Sequence, residues 1–311
     1  MRITFLGTSA GVPTRLRNVS GVALRLPQRA EVWLFDCGEA TQHQIQRTDL
    51  RLGQITRIFV SHLHGDHIFG LMGLLASSGL AGQAQPITLY GPAGLEEYVR
   101  ASARVTGTHV NDSIKVETTR AGTIYHEDDY TVTSRPLRHR LQAFGYRVTE
   151  RDRPGHFDAD RAASLGIPFG PLYGQLKRGE TVTLPDGRKF DGAEFCGPDL
   201  KGRSVVYCTD TTYCEASVEL ARGADLLIHE ATFVDEDAHL ARQSTHSTAT
   251  DAARVAREAG VRELVLTHIS PRYARGNAIE PSELIRQARA VFPATTLAED
   301  FMNVEVSRAV G

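Results

Sequence analysis

Hydrophobic positions in the first part of the chain fall in short runs bounded by Gly, Pro and charged residues. Such runs predict β-strands, and we expect three of them to form a meander over residues 2–6, 20–26 and 31–36. A helix is expected over residues 39–50. The apolar run at residues 55–60, rich in β-branched side chains, then predicts a buried strand.

Strand-like and helix-like patterns alternate along the rest of the chain. The predicted helices cover residues 68–80, 93–105, 213–222, 248–259 and 281–291. The predicted strands cover residues 87–90, 113–119, 130–137, 204–209, 226–228 and 264–266. Strands that alternate with helices in both halves predict an α/β fold, here two sheets packed between helix layers as a four-layer αβ/βα sandwich.

Residues 151–192 interrupt this alternation. They are rich in charge, Gly and Pro and carry few periodic apolar residues. Such a composition predicts an inserted arm more than a part of the core. We therefore expect residues 1–311 to form a single domain into which the arm is inserted.

Composition limits the class of protein. The chain has 311 residues with a net charge of −2, and 41% of them are hydrophobic. Because no apolar run approaches the roughly 20 residues of a membrane span and the N-terminus lacks a signal-peptide pattern, we predict no membrane contact and a cytoplasmic location. The four cysteines form no C-x-x-C pair, which fits a reducing compartment. The near-neutral charge excludes nucleic-acid binding through bulk positive charge.

The densest chemistry lies in residues 61–67, of sequence SHLHGDH, directly after a predicted strand. Neutral imidazole and carboxylate are the ligands of Zn²⁺ and similar ions. His62 and His64, two positions apart on an extended segment, point the same way, whereas Asp66 and His67 follow a glycine bend and face a neighbouring position. The spacing therefore predicts two metal ions.

Each ion needs more ligands than this loop provides. Three polar residues, His139, Asp210 and His268, follow other predicted strands. Taken singly, they have simpler interpretations as a surface base, a helix cap and a polar strand end. Together at one edge of the fold, they predict the completion of a two-metal site that suits a phosphodiester.

The H-x-H-x-D-H string resembles the signature of the metallo-β-lactamase superfamily. The resemblance implies two Zn²⁺ ions per subunit, or Mn²⁺ or another divalent ion, and seven ligands. One ion is implied to bind His62, His64 and His139, the other Asp66, His67 and His268, with Asp210 as a bridge.

Two further motifs, H-E-A-T at residues 229–232 and H-S-T at residues 246–248, resemble those of ribonuclease Z, a family of tRNA 3′-processing endonucleases. This resemblance implies that His246, held by Glu230, protonates the leaving group and that Asp66 orients the attacking water or accepts its proton. A ribose 3′ alkoxide is a poor leaving group and benefits from such an acid. Phe233 excludes an H-E-x-x-H metalloprotease helix.

The opening F-L-G-T-S-x-G-x-P also resembles that family, whose P-x-K-x-R-N loop is linked to reading the tRNA acceptor end. Here Arg15 replaces the Lys, so a planar fork replaces a point charge. The arm at residues 151–192 resembles the family's flexible arm, which is implied to grip the tRNA body. The resemblance implies substrate contacts at Pro13, Arg15, Arg17, Asn18, Gly170 and Pro171.

Together these resemblances imply a zinc-dependent, homodimeric endoribonuclease that cuts precursor tRNA 3′ of the discriminator nucleotide and leaves a 3′-hydroxyl and a 5′-phosphate. Two alternatives stay open: a general metal-dependent phosphodiesterase or hydrolase of the superfamily, and a non-enzymatic RNA-binding module with a structural metal. Asp66 and Asp210 argue against the second, because Cys and His dominate structural zinc sites. Surface or structural roles are expected for the histidines at 43, 109, 126, 156 and 239.

Overall fold

The structure, a computed structural model, describes residues 1–80, 86–108, 114–127 and 129–308. Residues 109 and 113, for which the sequence predicts a surface histidine and the start of a strand, lie outside these ranges. The chain folds into two compact units. The larger unit comprises Met1–Thr149 and Ser204–Ser307, and the smaller comprises Glu150–Arg203 with Arg308.

The first sheet of the larger unit has seven strands within the described ranges. Numbered along the chain, they are β1 (Arg2–Gly7), β2 (Gly21–Leu26), β3 (Glu31–Phe35), β4 (Ile55–Phe59), β5 (Ile87–Gly91), β6 (Ile114–Thr118) and β16 (Asn303–Glu305). Their spatial order is β16-β1-β2-β3-β4-β5-β6. The strands from β3 to β6 run parallel, whereas β16, β1, β2 and β3 pair in antiparallel fashion.

The second sheet also has seven strands within the described ranges. They are β7 (Gly122–His126), β8 (Tyr130–Leu137), β9 (Ala143–Glu150), β12 (Ser204–Cys208), β13 (Leu226–Glu230), β14 (Glu263–Thr267) and β15 (Thr295–Leu297). Their spatial order is β15-β14-β13-β12-β9-β8-β7. The four strands from β12 to β15 are parallel, so their carboxyl ends share one edge of the sheet.

Helices cover the outer face of each sheet. Those of the larger unit are α1 (Thr41–Gln46), α2 (Gly65–Ile68), α3 (Leu71–Leu80), α4 (Leu95–Thr106), α7 (Glu215–Ala221), α8 (Ala238–Ser244), α9 (Ala249–Ala259) and α10 (Pro281–Val291). The start of α9 is fixed by a capping box, in which Thr248 and Asp251 each accept the other's backbone N–H. In the described part of the chain, no helix has the length and hydrophobicity needed to cross a membrane.

The core follows from side chains that alternate between the two faces of each strand. Trp33 and Phe35 of β3 pack between the sheets, Trp33 against Tyr125 and Tyr130 and Phe35 against Tyr146 and Tyr207 of the second sheet. Leu34, between them in sequence, faces the helices instead. Burying an aromatic or aliphatic side chain of this size stabilises a fold by about 1.5–3 kcal/mol. The predicted sandwich of two sheets between helix layers is confirmed.

Two predicted helices have the wrong bounds. The helix expected over residues 39–50 extends only over α1, because Ala40 has a left-handed φ of 60° and the Thr48 hydroxyl donates to the Ile45 carbonyl. The helix expected over residues 68–80 is split into α2 and α3. The split lies at Gly70, whose backbone packs so closely on Gly38 that a Cβ at position 70 would lie 1.9 Å from the Gly38 oxygen.

Several strands were missed by the sequence prediction, notably β7, β9, β15 and β16. In β9, Gly145 weakens the strand pattern, since glycine has low β-propensity. A Cβ at this position would lie 2.8 Å from Leu220 Cδ2, so close packing explains the glycine. The strands β15 and β16 are three residues each, too short for a periodic signal.

The smaller unit has a core of its own, which the polar composition of residues 151–192 did not indicate. Its elements are α5 (Ala159–Ser164), α6 (Pro171–Lys177) and the hairpin of β10 (Val182–Thr183) and β11 (Lys189–Phe190). Its buried apolar side chains are Ala162, Ile167, Leu176, Val182, Leu184 and Phe195. Because turns separate these residues, they make no periodic pattern. The buried Glu150 carboxylate pairs with Arg203 and Arg308.

Replacing Gly70 by Ala should lower the free energy of unfolding by about 1–3 kcal/mol, because the added methyl group forces apart two backbone segments. Gly73→Ala is the matched control, since a Cβ there meets only the flexible end of Gln42 at 3.3 Å. That variant should gain about 0.5–1 kcal/mol from the replacement of a helical glycine. Urea denaturation measures both changes, and equal stability of the two variants would refute the close approach at Gly70.

Candidate metal centre

Polar side chains at the ends of six strands meet at one edge of the larger unit. They are Asp36 after β3, the histidines and aspartate of residues 61–67 after β4, His139 after β8, Asp210 after β12, Glu230 at the end of β13 and His268 after β14. The carboxyl ends of strands are where α/β folds bind ligands. The structure therefore brings together all seven residues predicted as metal ligands.

Three of these residues have a strained backbone. Asp36, Asp210 and His268 have φ values of 58°, 47° and 57°, in the left-handed region that non-glycine residues rarely adopt. Each such residue costs about 1–3 kcal/mol, and such strain concentrates at functional sites. Asp36 and His268 stand directly after a strand and Asp210 one residue further on, where the left-handed turn redirects the chain.

The first group of donor atoms comprises three imidazoles and one carboxylate oxygen. His64 Nδ1 lies 2.9 Å from His62 Nε2 and 3.2 Å from His139 Nε2. Asp210 Oδ2 lies 3.3 Å from His62 Nε2 and 3.8 Å from His139 Nε2. All four donor atoms fall within 4.8 Å of one another, so one ion could contact them all.

The second group lies on the other side of the same aspartate. Asp66 Oδ2 is 3.3 Å from His67 Nε2 and 3.4 Å from His268 Nε2. Asp210 Oδ1 is 3.2 Å from each of these two nitrogens. The two oxygens of Asp210 thus face different groups, which is the geometry a bridging carboxylate requires.

The donor set fits divalent ions such as Zn²⁺. In a tetrahedral shell with bonds of about 2.0–2.2 Å, ligand atoms stand roughly 3.3–3.6 Å apart, close to most of the separations in both groups. His67 donates through Nδ1 to Asp36, so its buried Nε2 faces the oxygens of Asp66 and Asp210, at 3.3 and 3.2 Å, as a third acceptor. Buried acceptors that face one another are stabilised when a cation lies between them.

Hydrogen bonds to the far side of each ring orient the imidazoles. His67 Nδ1 donates to Asp36 Oδ2 at 2.8 Å, His139 Nδ1 to the Thr245 carbonyl at 3.0 Å, and His268 Nδ1 to Thr232 Oγ1 at 3.0 Å. A proton on Nδ1 leaves the Nε2 lone pair directed at the centre. Such outer partners are typical of metal-binding histidines.

Asp36 is the residue that the sequence reasoning missed. It is fully buried and accepts hydrogen bonds from His67 Nδ1, from the Ser61 amide and hydroxyl, and from the Tyr207 hydroxyl. The Ser61 hydroxyl lies 3.0 Å from His62 Nδ1, so Asp36 orients one imidazole of each group. Its position after a strand is the signal that could have found it.

Burial and charge set the protonation of the centre. Burial lowers the pKa of His64 and lowers that of His139 to about 4, so both rings are neutral and able to bind a cation. Burial alone would raise the pKa values of Asp66 and Asp210, but nearby histidines, His67 and His268 among them, hold both well below the usual range. The buried carboxylates therefore require positive charge around them.

His246 and Glu230 form a pair beside the donor groups. His246 Nδ1 donates to Glu230 Oε1 at 2.8 Å, and its Nε2 lies 4.0 Å from Asp210 Oδ2. Burial disfavours the charged ring, but the Glu230 carboxylate outweighs it and raises the pKa of His246 to about 9. His246 is therefore poised to carry a proton on Nε2, next to the metal centre.

Glu230 also links this pair to a metal-binding candidate. Its Oε2 accepts from the Thr232 hydroxyl at 2.7 Å and from the Ser247 amide at 3.1 Å. The Thr232 hydroxyl in turn accepts from His268. Asp210, His246 and His268 form a third set of donor atoms within 4.8 Å, so the geometry alone permits a second arrangement of an ion.

The residues predicted to contact substrate differ in their exposure and in their hydrogen bonds. Pro13 and Arg15 are exposed. Arg17 and Asn18 bond within the protein: Arg17 Nη1 donates to Thr8 Oγ1 at 2.7 Å and to the Ala298 carbonyl at 2.5 Å, and Asn18 Nδ2 donates to the Glu39 carbonyl at 2.8 Å. These two side chains hold the loop in place.

The loop borders a cavity of about 880 Å³. Arg15 and Arg17 line this cavity with Ile269 and Ser270, which directly follow His268. In the smaller unit, Gly170 and Pro171 start helix α6, and Gly170 has a φ of 147°. The structure thus describes the loop and the Gly170–Pro171 pair in different units.

The remaining histidines lie outside the centre. His43, His126, His156 and His239 are exposed, and His109 falls outside the described residues. His229 is buried on β13, and its Nδ1 donates to the Glu230 carbonyl at 2.7 Å.

Comparison with known proteins finds matches over nearly the whole chain. Residues 1–148 match a family model described as anti-Pycsar protein Apyc1, and residues 180–269 match one described as a beta-lactamase superfamily domain. Ribonuclease Z of Nostoc sp. is 62% identical over 308 residues, which cover 99% of this chain and 96% of that protein. Ribonuclease Z of Trichodesmium erythraeum is 59% identical with the same two coverages.

A solved structure is similar over the same extent. The crystal structure of the short form of human tRNase Z has a TM-score of 0.70 and 30% sequence identity. The match covers 99% of this chain and 100% of the human protein.

Proposed function

The chain belongs to the ribonuclease Z family of hydrolytic endoribonucleases that process tRNA 3′ ends, and from this premise we propose that it cuts precursor tRNA directly 3′ of the discriminator nucleotide. The products are a tRNA with a 3′-hydroxyl and a trailer with a 5′-phosphate. One observation carries the proposal. Asp210 separates two groups of donor atoms, and the His246–Glu230 pair stands beside them.

The metallo-β-lactamase fold implies divalent metal ions, and we assign two Zn²⁺ ions, with Mn²⁺ as a substitute, to the two donor groups. Imidazole-rich sites suit zinc among the common divalent ions. His62, His64 and His139 would hold one ion and Asp66, His67 and His268 the other, with Asp210 between them. When bound, such ions polarise a phosphoryl oxygen and make water a stronger nucleophile at neutral pH.

The protein's own carboxylates place the attacking water. Asp66 is 11% exposed, so its side chain is accessible from the substrate side, and its Oδ2 already accepts the Gly11 amide at 2.8 Å. Asp66 and Asp210 are both held ionised, as a proton acceptor must be. They orient the water for attack on phosphorus, opposite to the ribose 3′ oxygen.

His246 assists the other half of the reaction. As the bond between phosphorus and the 3′ oxygen breaks, the proton on His246 Nε2 passes to that oxygen and yields the 3′-hydroxyl. Glu230 fixes the ring through Nδ1 and stabilises its charged form. Oxygen from water remains on phosphorus, so the 5′-phosphate belongs to the trailer.

We assign reading of the tRNA acceptor end to the loop at residues 13–18. Pro13 and Arg15 are exposed and contact RNA directly, and the Arg15 guanidinium can bind a phosphate through two N–H groups. Arg17 and Asn18 act indirectly, because their side chains hold the loop in shape.

We assign binding of the tRNA body to the arm at residues 151–192. Arg151 and Lys177 are exposed. Arg161 donates a hydrogen bond to the Glu194 carbonyl, and Arg178 forms an ion pair with Glu180. Arg147, a basic residue just before the arm, is part of β9, and its Nη1 donates to two carbonyl oxygens of the larger unit. Gly170 and Pro171 shape the start of α6. A homodimer and a cytoplasmic location stay predictions.

Cleavage of a trailer-bearing precursor tRNA tests the proposed function. We expect a single cut 3′ of the discriminator nucleotide. A chelator should abolish this cleavage and added Zn²⁺ should restore it. Analysis of the product ends should find a 3′-hydroxyl on the tRNA and a 5′-phosphate on the trailer. His64→Ala should abolish cleavage, because one donor group loses a ligand, whereas the control His43→Ala, an exposed residue on α1, should retain it. Hydrolysis of a small phosphodiester without cleavage of precursor tRNA would favour a general phosphodiesterase and contradict the proposal.

Replacing His246 by Ala should lower kcat roughly 10²- to 10⁴-fold, the usual contribution of a general acid. The metal content should not change. A substrate with sulfur at the scissile 3′ position, whose leaving group needs no proton, should restore much of the rate. The control is His239→Ala, an exposed histidine on the adjacent helix α8, which should leave kcat unchanged. Loss of a metal ion from His246→Ala would instead make His246 a ligand.

A further inference from the structure

An exposed aromatic side chain lies beside the candidate metal centre. Phe69 directly follows α2, the short helix that carries Asp66 and His67, and its side chain is 64% exposed. Its neighbours Ile68 and Leu71 are 4% and 0% exposed and fill the core on this side. Phe69 therefore contributes little to the hydrophobic core, and its exposed ring needs another explanation.

The ring lies against the backbone of the metal-binding loop. A Cβ at Gly65 would come within 2.1, 2.4 and 2.7 Å of three ring atoms of Phe69. Gly65 is helical and not among the residues with positive φ, so the backbone does not require a glycine here. A glycine is needed because the Phe69 ring occupies the space that a Cβ at position 65 would fill. Because Gly65 stands between His64 and Asp66, the ring lies against the segment that carries one residue of each donor group.

The helical turn that contains Phe69 determines which side of the helix its side chain lies on. The Phe69 amide donates to the Gly65 carbonyl at 2.9 Å, so the turn from residue 65 to residue 69 is helical. Residues three apart on a helix have Cβ atoms about 5–6 Å apart on the same face, which places Phe69 beside Asp66. Asp66 Oδ2 also accepts the Gly11 amide, and the next residue, Val12, is 57% exposed. Two exposed apolar residues thus neighbour Asp66, one on the same helical turn and one next to the amide that its carboxylate accepts.

We propose that the Phe69 ring stacks on a nucleobase of the RNA, that of one of the two nucleotides joined by the scissile phosphate. This inference rests on the proposed function, which brings that phosphate to the metal centre. Single-stranded RNA is commonly bound by stacking of unpaired bases on aromatic rings, and every base offers a suitable face. The ring therefore fixes the position of the scissile linkage without selecting its sequence.

The distribution of charge around Phe69 favours a nucleobase as the group that binds to its ring. Divalent ions held by the donor groups would attract the phosphate, whereas the exposed faces of Phe69 and Val12 offer no hydrogen bonds and no charge. An RNA strand presents both chemistries in alternation along its length: an anionic linkage and a flat, apolar base. Stacking beside a phosphate-binding centre matches that alternation.

Abasic substrates test the stacking directly. Precursor tRNA is prepared intact, without the discriminator base, and without the first trailer base. Phe69→Ala should lower kcat/KM on the intact RNA roughly 5- to 150-fold, the effect of losing one stacked base. Phe69→Trp should keep most of the activity and Phe69→Leu should not. One of the two abasic RNAs should be cut equally by the wild type and by Phe69→Ala, since the partner of the ring is already missing.

Controls separate stacking from a structural role. The metal content, the thermal unfolding temperature and the oligomeric state of Phe69→Ala should equal those of the wild type. Val105→Ala, which truncates a side chain that is 81% exposed on α4, should leave kcat/KM unchanged. A change in oligomeric state would make Phe69 a subunit contact and overturn the inference.

The failures are distinguishable. If the wild type does not cut intact precursor tRNA, the proposed function fails and the inference fails with it. If the wild type cuts and Phe69→Ala is equally active, only the stacking is refuted. Equal loss from Phe69→Ala on all three RNAs would also refute it, because the ring would then act without either base.

Discussion

The structure depends on the electrostatic cost of burying carboxylates and imidazoles together at the edge of two sheets. Asp36, Asp210 and Glu230 are almost completely inaccessible, and their hydrogen-bond partners are imidazoles, hydroxyls and backbone amides. Burying a charge in this way is unfavourable unless it is paired. Positive charge on the histidines or on bound cations meets that requirement, so metal binding and the stability of this edge are linked.

The fold supplies this edge through strain and close packing. Left-handed residues within two positions of the ends of β3, β12 and β14 turn the chain there. The contact between Gly38 and Gly70 brings the loop after β4 against the loop after β3, where Asp36 accepts a hydrogen bond from His67. Burial of apolar side chains between the sheets offsets the free-energy cost of the strained residues and the close backbone contacts. The geometry of the candidate metal centre thus depends on where the strands end.

Much of the architecture and the members of the centre could be predicted from the sequence, because both depend on local patterns. Ligand candidates stand within two positions of the end of a predicted strand, as His139 and His268 do. The partners that orient them could not be predicted, since Asp36 and Thr232 meet the rings only in three dimensions. Likewise, Arg17 carries the motif of a substrate contact, yet its guanidinium is bound inside the protein. The core of the smaller unit gave no periodic signal.

The central claim is that two ions bind on either side of Asp210. Anomalous diffraction from crystals of the metal-loaded protein, recorded at the zinc absorption edge, tests it most directly. Two peaks about 3.5–4 Å apart are predicted, one among His62, His64 and His139 and one among Asp66, His67 and His268. A single peak, or a peak among Asp210, His246 and His268, would contradict it.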